Sequence, residues 1–241
     1  MMENIVFNYK EELLADMANV YFDSMCGFTK EKPKAVAMKG QASKLKEEIK
    51  EKIQVRGIYS TYTNENLSDG KLIINGIDFS FQRLSIIDKS SVIKIIPYIL
   101  SAGNYELEDS CSMLDKFYAD TYGTAYVDAG RDELKRELLE KEKEELSGQG
   151  RRDIFISDSI GPGFYGIDTS KVGDFFKILD GDKIEVKAND YNVILPVKSC
   201  VGIFIIVDNP NLLPDYDCMS CTTKDINCTF CRRKDRETGN A

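Results

Sequence analysis

Four of the seven cysteines stand close together near the C-terminus, as Cys218-Met-Ser-Cys221 and Cys228-Thr-Phe-Cys231, with six residues between the pairs. One C-x-x-C turn lets two thiolates bind one ion. A second pair a few residues on completes a tetrahedral sulfur site suited to zinc or to an iron-sulfur cluster. Two disulfides or idle thiols are the alternative for the same four residues. The chain has no histidine, so its metal ligands can only be sulfur or oxygen, and it has no histidine-based triad or acid-base pair. Chemistry in this protein therefore depends on a bound cofactor. Cys26, Cys111 and Cys200 sit in apolar surroundings and read as small buried hydrophobes, Cys200 inside an apolar strand.

The second stretch with chemical content is Ser159-Ile-Gly-Pro-Gly-Phe-Tyr-Gly166, followed some thirty residues later by Pro196-Val-Lys-Ser199-Cys-Val-Gly202. Gly161, Gly163 and Gly166 permit positive φ or close backbone approach, and Pro162 stiffens the turn. Such a loop leaves amide N–H groups free to hold a carboxylate or phosphate. A purely structural tight turn is the competing reading.

Composition narrows the setting for these residues. Of the 241 residues 42% are hydrophobic and 30% charged, with a net charge of -8. The only basic run, Arg232-Arg233-Lys234, is a solvated end, so no nucleic-acid partner is expected. The N-terminal residues show no signal-peptide pattern and no run of eighteen apolar residues occurs, so a cytoplasmic location with reduced thiols and no membrane contact is expected. Reduced thiols favour metal over disulfide at the C-terminal cluster.

The elements that position these residues follow from periodicity. Leu13, Leu14, Met17, Val20, Tyr21 and Met25 recur on one helical face, and the helix stops near Gly27. A second helix carries Leu45, Ile49 and Ile53. Strands are expected at Gly57 to Thr63 and Lys71 to Phe81, with turns at Asp69-Gly70 and Asn75-Gly76. Val92 to Leu100 reads as a buried strand, in which Pro97 suits an edge or a bulge better than the centre of a sheet. Helical spacing from Leu107 to Ala125 continues into the charged run Arg131 to Glu145, which reads as a solvated face. After Ser147-Gly148-Gln149-Gly150 come a strand at Ile154 to Ser157, the glycine-rich turn, and a helix with Val172, Phe175, Phe176 and Leu179 inward. Tyr191 to Val197 and Val201 to Val207 read as adjacent strands, and Pro210 and Pro214 mark a linker to the cysteines. Strands and helices do not alternate regularly, so an α+β fold is expected, with helices packed around a bent, mostly antiparallel sheet. The expected divisions are an N-terminal helical region (1–54), a core (55–207), and a linker with a small Cys-rich metal-binding tail (208–241).

The order of features from Ser157 to Val207, with the helical stretch Met113 to Tyr126, resembles the S-adenosylmethionine-binding activation domain of cobalamin-dependent methionine synthase. That family has a Pro-Gly-aromatic turn, then a helix, a hydrophobic strand pair and a Pro-x-x-Ser-x-x-Gly element. The resemblance covers roughly residues 55 to 207 and excludes the cysteine tail. It implies the same α+β fold, and a ligand site at Gly161, Pro162, Gly163, Phe164, Tyr165, Ser199, Gly202 and Phe204. Three positions depart from the family pattern. Ser159 stands in place of an arginine, Phe164 in place of the turn tyrosine, and Phe204 in place of an aromatic hydroxyl. These changes remove hydrogen bonds to the methionine end or the ribose, of which Tyr165 could restore one. An acidic residue that the family directs at the ligand's amino group has no assigned position here.

The resemblance also implies a role in maintenance. A cobalamin methyltransferase that loses its Co(I) to oxidation is rescued when reduction of Co(II) is trapped by methyl transfer from S-adenosylmethionine. This chain would act in trans on a separate corrinoid-binding methyltransferase protein that carries the cobalamin, as an accessory component and not a self-sufficient enzyme. Two other functions fit the same sequence. One is an iron-sulfur electron-transfer accessory protein of a corrinoid methyltransferase system. The other is a zinc-stabilised docking protein that no longer binds S-adenosylmethionine.

Overall fold

Two apolar runs, Val92 to Ser101 and Ser199 to Val207, pair antiparallel and form the middle of the molecule. A strand covered on both faces must be apolar almost continuously, which is how both runs read. The computed structural model describes residues 3–28, 33–81, 84–104, 107, 111–147 and 153–213. Along the chain lie β1 (Ile5–Tyr9), α1 (Glu11–Met25), α2 (Pro33–Ile49), β2 (Val55–Tyr59), β3 (Leu67–Ser68), β4 (Lys71–Ile74), β5 (Ile77–Asp78), β6 (Val92–Ser101), α3 (Met113–Ser147), β7 (Phe155–Ile156), α4 (Val172–Ile178), β8 (Lys187–Ala188), β9 (Ile194–Leu195) and β10 (Ser199–Val207). The main sheet has the order β1-β2-β6-β10-β7, and every pairing in it is antiparallel.

Alternation along β6 and β10 divides the core in two. Tyr98, Leu100, Phe204 and Ile206 face one layer with α1, α2 and α3. Ile95, Ile99, Ile203 and Ile205 face the other, covered by α4, the β4 hairpin and the segment around Tyr165. The expected α+β arrangement is therefore present, with the long helices on one face. Residues 5–9 supply an edge strand to this sheet, and α1 packs along α3, so the first fifty residues share the helical-side core.

Five details differ from the sequence reading. The buried face of α1 is Leu14, Ala18 and Phe22, while Leu13 and Val20 are 55% and 68% exposed. Ala18 allows close approach to α3, and the Phe22 ring stacks on Tyr122 at 3.7 Å between centroids. Pro97 lies in the central strand of the sheet. Its carbonyl accepts the Ser60 N–H at 3.2 Å, and the absent proline N–H removes one rung toward β2. Tyr62 and Ile95 restore a double rung two residues on, at 2.8 and 2.9 Å.

The segment 191–197 does not form a strand beside β10. The Asn189 side chain accepts the backbone N–H groups of Tyr191 and Val193, both at 3.0 Å, and Asn192 takes positive φ, so the chain turns and β9 pairs with β8. The charged run in α3 is not wholly solvated. Glu133 and Glu142 are buried, held by Arg136 and Lys94 respectively. The helix itself begins at Met113, later than the apolar spacing from Leu107 suggests.

Candidate functional site

The turn expected to hold a ligand is built against β10. Ile160 and Ile203 exchange both backbone hydrogen bonds, at 3.0 and 2.7 Å, which ties the turn's entry to the strand. A Cβ on Gly161 would lie 2.7 Å from the Val201 carbonyl oxygen, so only glycine fits this approach. Pro162 is half-buried and Gly163 has φ +89°. Several of the amides here are already engaged within the turn. Gly163 N–H donates to Ile167 at 2.9 Å, Phe164 N–H to Gly161 at 3.0 Å and Ile167 N–H to Phe164 at 3.0 Å, because two consecutive tight turns close on themselves.

The two aromatic residues of the turn diverge. Phe164 is 59% exposed, whereas Tyr165 is 5% exposed and packs edge-on to Phe81 in the core of the opposite layer. Tyr165 adopts φ +53°, a left-handed conformation that costs a non-glycine residue about 1–2 kcal/mol. That conformation is what sends the two adjacent rings to opposite environments.

The second element lies on β10 and the loop before it. The Ser199 hydroxyl is 2.6 Å from the Pro196 carbonyl and 2.8 Å from the Ser101 hydroxyl, which in turn accepts the Gly103 N–H at 3.0 Å. These bonds fix the loop 196–199 to the end of β6. Gly202 faces the helical side, where a Cβ would fall 2.3 Å from Ser159 Oγ and 2.9 Å from the Tyr98 hydroxyl. The space belongs to a hydrogen bond of 2.6 Å between Tyr98 and Ser159. Phe204 has no exposed surface and stacks on Tyr98 at 4.9 Å, so it acts on the site by holding that ring. Gly161 thus meets the stretch of β10 that carries Ser199, Gly202 and Phe204, whereas Gly163 bonds within its own turn. Cys218, Cys221, Cys228 and Cys231 lie outside the described residues.

Across this seam α3 contributes charges that the sequence reading did not single out. Arg131 bonds Asp128 at 2.8 Å and lies 3.6 Å from Asp132, whose other carboxyl oxygen accepts the Tyr21 hydroxyl of α1. One helical turn further, Lys135 reaches Asp158 at 2.8 Å, and on the loop side Lys198 reaches Asp120 at 2.7 Å. Burial holds the Asp128 carboxyl above its usual range, with Asp132 adding to the shift and Arg131 opposing it. Burial likewise raises the Tyr98 phenol and pushes the Cys200 thiol up to about 11. Both stay neutral at pH 7, and the acidic side chains within reach of Arg131 are Asp128 and Asp132. A sequence signal for this wall did exist. Gly130 sits in mid-helix, and a Cβ there would lie 2.6 Å from Val55, which marks where α3 touches the sheet.

A cavity of about 720 Å³ opens elsewhere, between the start of α1 and residues 50–56. Its Glu11, Lys50 and Arg56 are each engaged by a partner of opposite sign, so it holds no unbalanced charge from these residues.

A five-stranded antiparallel sheet with a long helix packed across it, and a glycine turn bonded to the strand beside it, is a specific arrangement. The fold is that of the MetH reactivation domain. A solved structure of that domain, bound to AdoHcy, superposes with a TM-score of 0.59 at 10% sequence identity, covering 90% of this chain and 81% of the other. That coverage exceeds what residues 55 to 207 could supply, so the likeness to the reactivation domain includes N-terminal elements. No family model matches the chain and no curated protein matches it. Among the described residues no helix is long and apolar enough to cross a membrane, and no group of three or more acidic or cysteine side chains is placed to hold a metal.

Proposed function

We propose that this protein binds S-adenosylmethionine in the seam between α3 and the 159–166 turn and supports reductive remethylation of a separate corrinoid-dependent methyltransferase. The observation that carries the reading is the reactivation-domain fold, whose solved relative holds AdoHcy, combined with a half-buried pair of carboxyl groups on α3, Asp128 and Asp132, that flank Arg131. S-adenosylmethionine has two cationic centres, a sulfonium and an ammonium, against one carboxylate. Two carboxylates in a partly desolvated seam complement that excess positive charge. Asp128 is the acid suited to the ammonium group, because a neighbouring cation relieves the burial that now raises its pKa.

When bound, this ligand supplies an electrophilic methyl group to a reduced cobalt centre carried by the partner. The chain's own residues perform no proton transfer in that step. Gly161 and Gly202 let the turn and β10 come close enough to form the floor, and Tyr98 with Ser159 seals it on the helical side. Phe164, exposed at the rim, is available to the ligand's adenine or to the partner's surface. The electron for cobalt comes from a separate reductant. A metal centre on Cys218, Cys221, Cys228 and Cys231, zinc or iron-sulfur, is part of the proposal, and an iron-sulfur centre there would give that electron a local donor.

The test is an anaerobic mixture of a corrinoid methyltransferase in its Co(II) state, a low-potential reductant and S-adenosylmethionine. Addition of this protein should convert the Co(II) spectrum to that of methylcobalamin. Identical rates with and without the protein would remove the proposed role.

A further inference from the structure

We infer that the free edge of the main sheet, β1, binds an extended peptide of another protein as an added strand, with one end of that peptide in the cavity between the start of α1 and residues 50–56. β1 stands first in the order β1-β2-β6-β10-β7 and pairs with β2 alone. Which of its main-chain groups are free follows from alternation along the neighbouring strand. The register of β2 on β6 continues past Tyr59, where the Ser60 N–H donates to the Pro97 carbonyl at 3.2 Å and Tyr62 and Ile95 exchange both bonds. Even-numbered residues of this stretch therefore bond to β6. Val55, Gly57 and Tyr59 turn their N–H and C=O groups the other way, to Tyr9, Phe7 and Ile5. The N–H and C=O groups of Val6 and Asn8 are left pointing out of the sheet, and no partner for them occurs among the described residues. Both residues are exposed, so the edge is open to solvent. Four main-chain groups at strand spacing are what another extended chain satisfies.

The cavity is a second and independent observation. Its volume of about 720 Å³ falls in the usual range for ligand sites, about 300–1,000 Å³, and Asn8 lines it. Arg56, cross-strand from Asn8 on the same face, lines it too, and the Arg56 Nε is buried without a hydrogen-bond partner. A buried donor of this kind calls for an acceptor, and a peptide carbonyl entering beside Asn8 provides one. Glu12 and Glu51 also line the cavity and have no ion-pair partner among the described residues, against one lining cation in that condition, Lys10. That balance favours a peptide with lysine or arginine at its cavity end. It also argues against a second copy of this chain as the occupant. Each copy carries a net charge of -8, and a two-fold pairing that joins Val6 to Asn8 has Phe7 on its axis, which brings Glu3 of each copy near Glu11 of the other. The site is three strands away from β10 and does not depend on the S-adenosylmethionine reading.

The experiment selects short peptides from a random phage-displayed library against the intact protein and titrates the enriched ones by fluorescence anisotropy. Enriched peptides should carry lysine or arginine near one end. Hydrogen exchange in the free protein should be faster at the Val6 and Asn8 amides than at Phe7 and Tyr9, and should slow when peptide binds. Asn8→Pro removes an outward N–H without touching the ladder to β2, which edge strands tolerate. It should weaken binding about 10-fold, the loss when one hydrogen bond goes and its carbonyl is left unpaired. Val6→Pro makes the same comparison if thermal melting shows that Asn8→Pro does not fold. Glu51→Lys leaves the main chain alone and should weaken the lysine-bearing peptides by about threefold or more. No enrichment over bare support, peptides that bind both proline variants as tightly as wild type, or Val6 and Asn8 amides as protected as Phe7 and Tyr9 in the free monomer overturns the assignment. A dimer in ultracentrifugation that Asn8→Pro dissolves overturns it too, and gives the edge to a second copy.

Discussion

Gly202→Ala is the substitution that the site geometry constrains most tightly. The new Cβ would sit 2.3 Å from Ser159 Oγ, 2.9 Å from the Tyr98 hydroxyl and 3.0 Å from Tyr98 Cε1. Tyr98 cannot retreat, because it is fully buried and stacked on Phe204. Ser159 can rotate away, but its departure takes the 2.6 Å bond from the Tyr98 hydroxyl and leaves that group buried without it. Overpacking costs about 1–3 kcal/mol and an unpaired buried hydroxyl about 1–3 kcal/mol, so the expected loss is about 3 kcal/mol. For a chain of this size that is a fall in Tm of about 6–12 °C. Ser159→Ala removes the atom in closest conflict, so the same glycine substitution in that background should cost only about 1 kcal/mol more than Ser159→Ala alone. Urea unfolding of the wild type, the two single variants and the double variant gives the coupling directly. Additive losses would refute the claim that Gly202 exists to accommodate the Tyr98–Ser159 pair.

Further outcomes follow from the burial of specific groups. Phe164→Ala should change stability by less than about 0.5 kcal/mol, whereas Tyr165→Ala, in the opposite core, should cost about 3 kcal/mol by urea unfolding. Lys94→Met strands the buried Glu142 and should destabilise by about 3 kcal/mol in urea unfolding at pH 7. The Cys26 and Cys200 thiols are both raised to about 11, chiefly by burial. Folded-state values above the unfolded ones favour the native protein fully below about pH 8.5, and that contribution should be lost as the pH rises through about 11, in an alkaline melt that Cys200→Ser shifts. Elemental analysis of anaerobically purified protein should find metal bound in wild type and lost in Cys218→Ser, with circular dichroism of the main domain unchanged by chelation.

Local patterns in the sequence were sufficient where burial and periodicity agree. The strands β6 and β10 are continuous apolar runs, and Leu45, Ile49 and Ile53 mark the buried face of the second helical segment. They were insufficient where partners lie far away in sequence. The first helix carries apolar residues on two faces, and only the approach of α3 selects Leu14, Ala18 and Phe22 over Leu13, Met17 and Val20. Pro97 is tolerated in the central strand because the double rung between Tyr62 and Ile95, distant in sequence, offsets the one it removes. At the site, the glycine turn and the Pro196 to Gly202 element stood out because glycine and proline report backbone constraints directly. Asp128 and Arg131 did not, since a charge in a helical run looks solvated until the sheet it faces is known. Tyr165 shows the same limit: its environment depends on a left-handed φ that its side chain does not favour.

The most direct measurement is calorimetric titration of the intact protein with S-adenosylmethionine under reducing conditions. The account predicts saturable binding at one site per chain, weakened by Asp128→Asn and by Gly202→Ala. Absence of binding at millimolar ligand by a protein shown to be folded would contradict it.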